Sequence, residues 1–252
     1  MKTVFITGAT SGIGQEFARV YAKRGYRLIL TGRRTDRLEA MRTTFGETCK
    51  VITTDLSDEN QCKKLLESIY EEHIDVFINN AGFGTAGSFI ETDLEKEISM
   101  IKVNDIAMHI LFKGVLRKMK AQGTGTILNV ASSAGLLPAG PYMATYYASK
   151  AYVVSLTKAV ARELKEQGSG VYVCCLCPGP VDTEFNSKSD VMFALKGISA
   201  KQCVKECLTG MKKRQTVIIP TLGMKLAIAF QHFIPESLLI MITGRQQKKK
   251  RR

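Results

Sequence analysis

Tyr146 and Lys150 stand four residues apart in the run Tyr146-Tyr147-Ala148-Ser149-Lys150, and Ser133 lies thirteen residues upstream of that tyrosine. On a helix, a four-residue spacing puts two side chains on one face. An ammonium beside a phenol favours the phenolate and draws its pKa down from about 10. Such a phenol trades a proton with an alcohol or carbonyl near neutral pH, and a serine hydroxyl beside it can hold the same oxygen. By the same count Ser132 is one residue out of register with Tyr146. Tyr147 points roughly 100° away around the helix and is assigned to packing. His73, His109 and His232 are far apart and lack zinc spacing, so no metal site is expected.

A second chemical feature lies at the N-terminus. Lys2 to Thr7 is a short apolar run with β-branched residues and reads as a buried strand. It leads into Gly8-Ala9-Thr10-Ser11-Gly12-Ile13-Gly14, followed by a helical pattern. A strand, a glycine-rich turn and a helix N-terminus make an anion site, because main-chain N–H groups and the helix dipole point at a phosphate. Glycines at 8, 12 and 14 let the chain turn sharply and approach a pyrophosphate. The second strand ends Leu30-Thr31-Gly32-Arg33-Arg34. An NAD site usually places an acid there for the ribose hydroxyls; here two guanidinium groups stand instead, suited to a 2′-phosphate. NADP is therefore preferred over NAD. Arg33 is the expected clamp, with Arg34 beside it and Ser11 adding a hydroxyl.

The elements that position these groups alternate. Strands are predicted near 3–7, 27–31, 49–53, 75–78, 125–130, 170–176 and 216–219. Helices are predicted near 12–24, 35–45, 58–72, 91–101, 104–121, 147–167 and 200–213, with Thr35 and Ser57 as caps. The pattern predicts an α/β fold, a Rossmann-like doubly wound parallel sheet of about seven strands with helices on both faces. Gly8, Gly32, Asp55, Asn80, Ser133 and Pro178 all follow predicted strands, so ligands are expected along that one edge. One catalytic domain over 1–220 is expected, with an apolar extension over 221–247 and a basic tail over 248–252.

In the order of its motifs the chain resembles the short-chain dehydrogenase/reductase superfamily, from Thr3 to about Thr183. The carriers are Thr7-Gly8-x-x-x-Gly12-x-Gly14, Asp55-Leu56, Asn79-Asn80-Ala81-Gly82, Asn104, the Ser133, Tyr146 and Lys150 set, and Pro178-Gly179-x-Val181-x-Thr183. The resemblance implies a nicotinamide cofactor held by Gly8, Ser11, Gly12, Ile13, Gly14, Asp55, Leu56, Asn80, Ala81, Gly82, Tyr146, Lys150, Pro178, Gly179, Val181 and Thr183. It implies carbonyl/alcohol redox chemistry in which Tyr146 exchanges the proton and Ser133 steadies the oxygen. Lys150 would keep Tyr146 acidic, and Asn104 would anchor a water that links Lys150 to solvent. It further implies a homodimer or homotetramer paired through helices 104–121 and 147–167. A non-catalytic NADP-binding scaffold on the same fold is the alternative.

By position, Phe83, Leu136, Leu137, Tyr142, Met143, Phe185, Met192 and Phe193 face the substrate, which points to a hydrophobic ketone or aldehyde, or the matching alcohol. Glu184 to Gly197 suits a lid. Apolar content of 45% and charged content of 23% are ordinary for a globular protein. Seven cysteines without metal spacing, and no leader before the first strand, lead to the expectation of a reducing cytoplasm. The net charge of +13 includes five basic residues at Lys248–Arg252. Outside this tail the basic residues are scattered without aromatic interleaving, and no nucleic-acid partner is expected. Leu222 to Ile242 is strongly apolar. It could cover the cleft, pack on a partner subunit or lie on a membrane surface, where the basic tail would favour anionic lipid; otherwise the tail is simply solvated.

Overall fold

The computed structural model describes residues 1–184 and 197–248. The chain runs β1 (Thr3–Thr7), α1 (Gly12–Lys23), β2 (Arg27–Gly32), α2 (Thr35–Phe45), β3 (Cys49–Thr53), α3 (Glu59–Ser68) and β4 (Val76–Asn79). It continues with α4 (Leu94–Ile101), α5 (Met108–Gln122), β5 (Gly125–Val130), α6 (Ala144–Glu166) and β6 (Val171–Leu176). Then follow β7 (Val181–Asp182), β8 (Ile198–Ser199), α7 (Ala200–Lys212), β9 (Val217–Ile218), α8 (Leu222–Phe230) and α9 (Glu236–Lys248). Seven strands form one parallel sheet in the order β3-β2-β1-β4-β5-β6-β9.

The strands are apolar almost throughout because helices cover both faces. Alternation along each strand divides the core. Phe5, Ile29, Phe77, Ile127 and Val173 face Leu111, Val115 and Val153 of α5 and α6. Val4, Ile6, Leu28, Leu30, Ile78 and Leu128 face Phe17 and Tyr21 of α1 and Cys203 and Cys207 of α7. Phe5 and Phe77 stack with centroids 4.8 Å apart where β1 meets β4. The sheet turns there from running outward through β2 to running outward through β4, so a crevice opens at the strands' carboxyl ends.

Several boundaries differ from expectation for local reasons. Asp58, not Ser57, caps α3, accepting from the main-chain N–H of Asn60 at 2.8 Å and of Gln61 at 3.3 Å, and α3 ends at Ser68 rather than 72. Thr35 is the first residue of α2, whose cap position is Arg34. Asp93 caps α4, which starts at Leu94 instead of 91. α4 and α5 are joined without a break through a π-helical stretch, Lys102–Ala107. α6 starts at Ala144, three residues before the expected 147. β7 and β8 were not expected; they pair in parallel through Val181 and Ile198. The expected lid, with Phe185, Met192 and Phe193, and the tail beyond Lys248 lie outside the described residues.

Candidate active site

Backbone geometry at the end of β1 makes the first wall of the crevice. Gly8 and Gly12 adopt φ of 62° and 55°, a region that side chains disfavour. A Cβ on Gly14 would run into the Gly8 carbonyl and the Asn80 amide. Asn80 stitches this turn from behind: its amide donates to the carbonyls of Thr7 and Gly8 at 3.0 and 3.2 Å. Thr7 Oγ1 accepts in return from the N–H of Asn80 and Ala81. α1 then starts at Gly12 with no side-chain cap from Ser11 and no acid in its first turn. The free N–H groups of that helix end and the glycine cradle fit a pyrophosphate.

The turn opens on a cavity of about 880 Å³, at the upper end of the roughly 300–1,000 Å³ common for cofactor and ligand sites. Gly8, Ser11, Gly12, Ile13, Arg33, Arg34, Asp55, Leu56, Asn80, Ala81, Gly82, Tyr146, Lys150, Pro178, Gly179, Val181 and Thr183 all line it. Gly14 and Asn104 do not; each sits one layer behind the wall. Asp55 folds onto its own loop, accepting from the Ser57 N–H and hydroxyl. Arg33 is exposed on the rim and makes no ion pair among the described residues. Arg34 is engaged: it donates to the Thr10 carbonyl at 2.9 Å and pairs with Glu184 at 2.8 Å. Arg37 pairs with the same carboxylate, and the two arginines hold Glu184 well below the usual carboxylate range. An acid just after β7 thus occupies part of the charge expected for a phosphate.

The reactive end lies where α6 crosses β4 and β5. Tyr146 and Lys150 both line the cavity on one face of α6, with the Lys150 ammonium 5.8 Å from the Tyr146 ring centre. Lys150 Nζ donates to the Val130 carbonyl at 3.1 Å. A Cβ at Gly82 would stand 3.0 Å from Asn104 Oδ1 and 3.2 Å from Lys150 Nζ, so the absent side chain makes room for both polar atoms.

One expectation is corrected here, the direction of the Tyr146 shift. Ser132 and Ser133 both line the cavity, and the Ser132 hydroxyl is the neighbour that draws the Tyr146 phenol down. Ser132 stands at the cap position of a 3-10 turn, Ser133–Leu136, where its Oγ accepts from the Ala134 N–H. Ser133 opens that turn, and its N–H donates to the Pro178 carbonyl. Burial pushes the Tyr146 phenol up to about 12; Ser132 opposes this without overcoming it, and no lowering from Lys150 registers. Burial likewise pushes the Lys150 ammonium down to about 8, against the pull of Asp105. Desolvation, not charge pairing, therefore sets both groups. Asn104 spends its side chain on the chain itself: Oδ1 accepts from Phe83 N–H at 3.0 Å, and Nδ2 donates to the Phe83 carbonyl and to Ser149. It braces the wall beside Lys150.

Sequence reasoning missed several groups. Asp105 sits in the π-helical stretch with a buried Oδ1 that has no hydrogen-bond partner among the described residues, and burial raises its carboxyl to about 6. Tyr147 lines the cavity and its hydroxyl accepts from Gln247 Nε2 at 2.8 Å. Phe83, Leu137 and Met143 line the cavity as expected, whereas Leu136 turns into the core and Tyr142 is absent from the wall. The far wall comes from the C-terminus: Met224, Ile228, Ile234 and Leu239 of the α8–α9 region close it. No sequence motif announced them; only the apolar composition of that stretch hinted at it. Among the described residues no group of three metal-ligating side chains comes together.

The arrangement is a glycine-lined crevice ending in a Ser-Tyr-Lys set with Tyr146 and Lys150 buried, and comparison with known proteins agrees. Residues 2–193 match the family model for short chain dehydrogenases. A dehydrogenase/reductase SDR family member 6 from Aquarana catesbeiana is 32% identical over 206 residues, covering 80% of this chain and 82% of its own. A short-chain dehydrogenase from Sphingobium yanoikuyae in complex with NADPH superposes with a TM-score of 0.81 at 30% identity, over 93% of this chain and 95% of that one. A short-chain dehydrogenase/reductase from Burkholderia phymatum in complex with NAD gives 0.83 at 25% identity, over 92% and 93%. The chain belongs to the short chain dehydrogenase family. Its class of chemistry is oxidoreduction between an alcohol and a carbonyl, with a nicotinamide cofactor.

Proposed function

We propose that the protein is an NADP(H)-dependent reductase of a hydrophobic ketone or aldehyde, or the dehydrogenase of the matching alcohol. The observation that carries this is the gathering of Ser132, Ser133, Tyr146 and Lys150 in one cavity wall, between a glycine-lined crevice and an apolar wall. Bound NADPH supplies the hydride. The chain's own residues supply the rest. Tyr146, kept protonated by burial at neutral pH, gives its proton to the oxygen that gains charge. Ser132 holds that hydroxyl in line and offers its own to the same oxygen. Lys150 is fixed by its bond to the Val130 carbonyl, with its ammonium 5.8 Å from the Tyr146 ring centre. Phe83, Leu137, Met143, Met224 and Ile228 exclude water around it.

Arg33 is the phosphate clamp in this reading, free at the rim where Arg34 is already paired. Residues 1–220 form the catalytic domain and 221–247 its cap, the oligomer is a homodimer or homotetramer, and the protein works in the cytoplasm with its C-terminus able to meet a membrane surface. Following the loss of NADPH absorbance with a panel of bulky ketones tests the function. Turnover with NADPH several-fold above NADH supports it. Cofactor binding with no turnover on any carbonyl would leave only a scaffold.

A further inference from the structure

We propose that the outer face of the cap, from α8 through α9, docks on an anionic lipid surface, and that the carbonyl substrate enters the cavity from that lipid. The entry route rests on the carbonyl-reductase reading; the docking does not.

A helix on the surface of a globular protein turns its apolar stripe inward. The cap turns apolar side chains both ways, with Met224, Ile228, Ile234 and Leu239 on the cavity. α8 has no buried residue, and the buried residues of α9 are Thr243, Gly244 and Gln247. Polar bonds hold the cap down: Gln231 Nε2 to the Leu136 carbonyl at 2.9 Å, Thr243 Oγ1 to the Ala139 carbonyl at 3.0 Å, and Gln247 to Tyr147. A second set of large apolar side chains faces out. Leu222 is 71% exposed and Phe233 83%, and Leu226 and Phe230 stand between them. Their spacings of four, four and three residues put them on one side of α8 and the turn that follows. Leu238 and Met241 are exposed on α9 as well. Contiguous apolar surface of this kind marks a contact with something apolar.

Charge selects the occupant. From residue 221 to the end there are seven Lys and Arg residues and one acid, Glu236. Exposed Arg245 and Lys248 follow the apolar patch along α9, and the sequence goes on Lys249-Lys250-Arg251-Arg252. An apolar face flanked by cations is what an anionic lipid interface binds. A second copy seated on this face would bring its own positive excess against the first, which disfavours that partner. Among the described residues no helix is long and apolar enough to cross a membrane, so the cap lies in the interface.

The patch also reaches the site. Phe230 and Ile242 are exposed and at the same time line the cavity, with Ile228 and Leu239 further in. Phe230 and Ile242 thus bridge the outside of the cap and the cavity that holds Tyr146. A ketone dissolved in lipid could follow that route without crossing water.

The test is co-sedimentation of the full chain with large vesicles of phosphatidylcholine, with and without phosphatidylglycerol. We expect most of the protein to pellet with the anionic vesicles at low salt, and about threefold less with neutral vesicles or in high salt. The double variant Leu226→Glu with Phe233→Glu touches neither the cavity nor the cofactor. It should lose roughly tenfold or more in vesicle binding, while its NADPH affinity, reporting the fold, stays unchanged. No pelleting of the wild type, or equal pelleting of the variant, overturns the docking. So does a wild-type oligomer that the variant dissociates, since a second copy would then cover the patch. The variant should also lose activity on a long-chain ketone held in vesicles but keep it on a short water-soluble one; equal loss on both overturns the entry route. Vesicle binding without any ketone turnover would retain the docking and remove the proposed function.

Discussion

Replacing Ser132 by Ala, beside the same change at Ser133, separates two neighbours that residue counting confuses. Ser132 has two jobs for its hydroxyl. It draws the Tyr146 phenol down, and it accepts from the Ala134 N–H at 3.1 Å at the start of the 3-10 turn. Loss of a positioned donor to a developing oxyanion costs about 100- to 1,000-fold in kcat. Loss of a cap of this type costs about 1 kcal/mol of stability, or roughly 2–4 °C in Tm for a chain of this size. Ser133 holds the loop through its main-chain N–H to Pro178, which alanine keeps. Ser133→Ala should therefore lie within about threefold of wild type in kcat and within about 0.5 kcal/mol in stability. The assay is steady-state NADPH oxidation with a turned-over ketone, paired with thermal melts. A larger loss of kcat from Ser133→Ala than from Ser132→Ala would refute the assignment.

Two further predictions follow from the charges. Arg33→Ala should weaken NADPH binding by about 10- to 100-fold, the worth of a charge-assisted hydrogen bond, and leave NADH binding as it was; titrations of both cofactors check this, and an equal effect on the two would return the phosphate to Arg34. Lys150→Met should abolish turnover yet stabilise the fold. The buried ammonium's pKa falls from 10.5 to about 8 on folding, a penalty of about 3 kcal/mol that is complete below pH 8 and is relieved as the pH rises towards 10.5. The lost bond to Val130 returns about 1 kcal/mol of it, so a net gain of about 2 kcal/mol is expected at pH 7, shrinking at pH 10. Denaturant melts at both values check it, and destabilisation at pH 7 would contradict it.

What could be read from the sequence was what local pattern controls. The apolar strands β1 to β6 and the glycine turn follow from composition and spacing, and with them the strand-end edge that holds the crevice. Tyr146 and Lys150 were legible because a helix converts four residues into one face. Ser132 was not, because the path from β5 to α6 passes through the Ser133–Leu136 turn, where counting back from Tyr146 no longer measures position. The Arg34–Glu184 pair spans 150 residues and had no local signature. The opposed shifts of Tyr146 and Lys150 also escaped, since the sequence shows which charges are near but not how deeply they are buried. The cap was visible only as apolar composition. Its fixing depends on three polar bonds to residues at 136, 139 and 147, roughly a hundred positions upstream.

The most direct measurement is turnover of Tyr146→Phe with NADPH and a bulky ketone, beside the variant's NADPH dissociation constant. The phenol has no substitute in the cavity wall placed against Ser132 and Lys150, so kcat should fall by at least about 100-fold while NADPH binds within about threefold of wild type. A Phe variant that reduces the ketone at the wild-type rate would contradict the account.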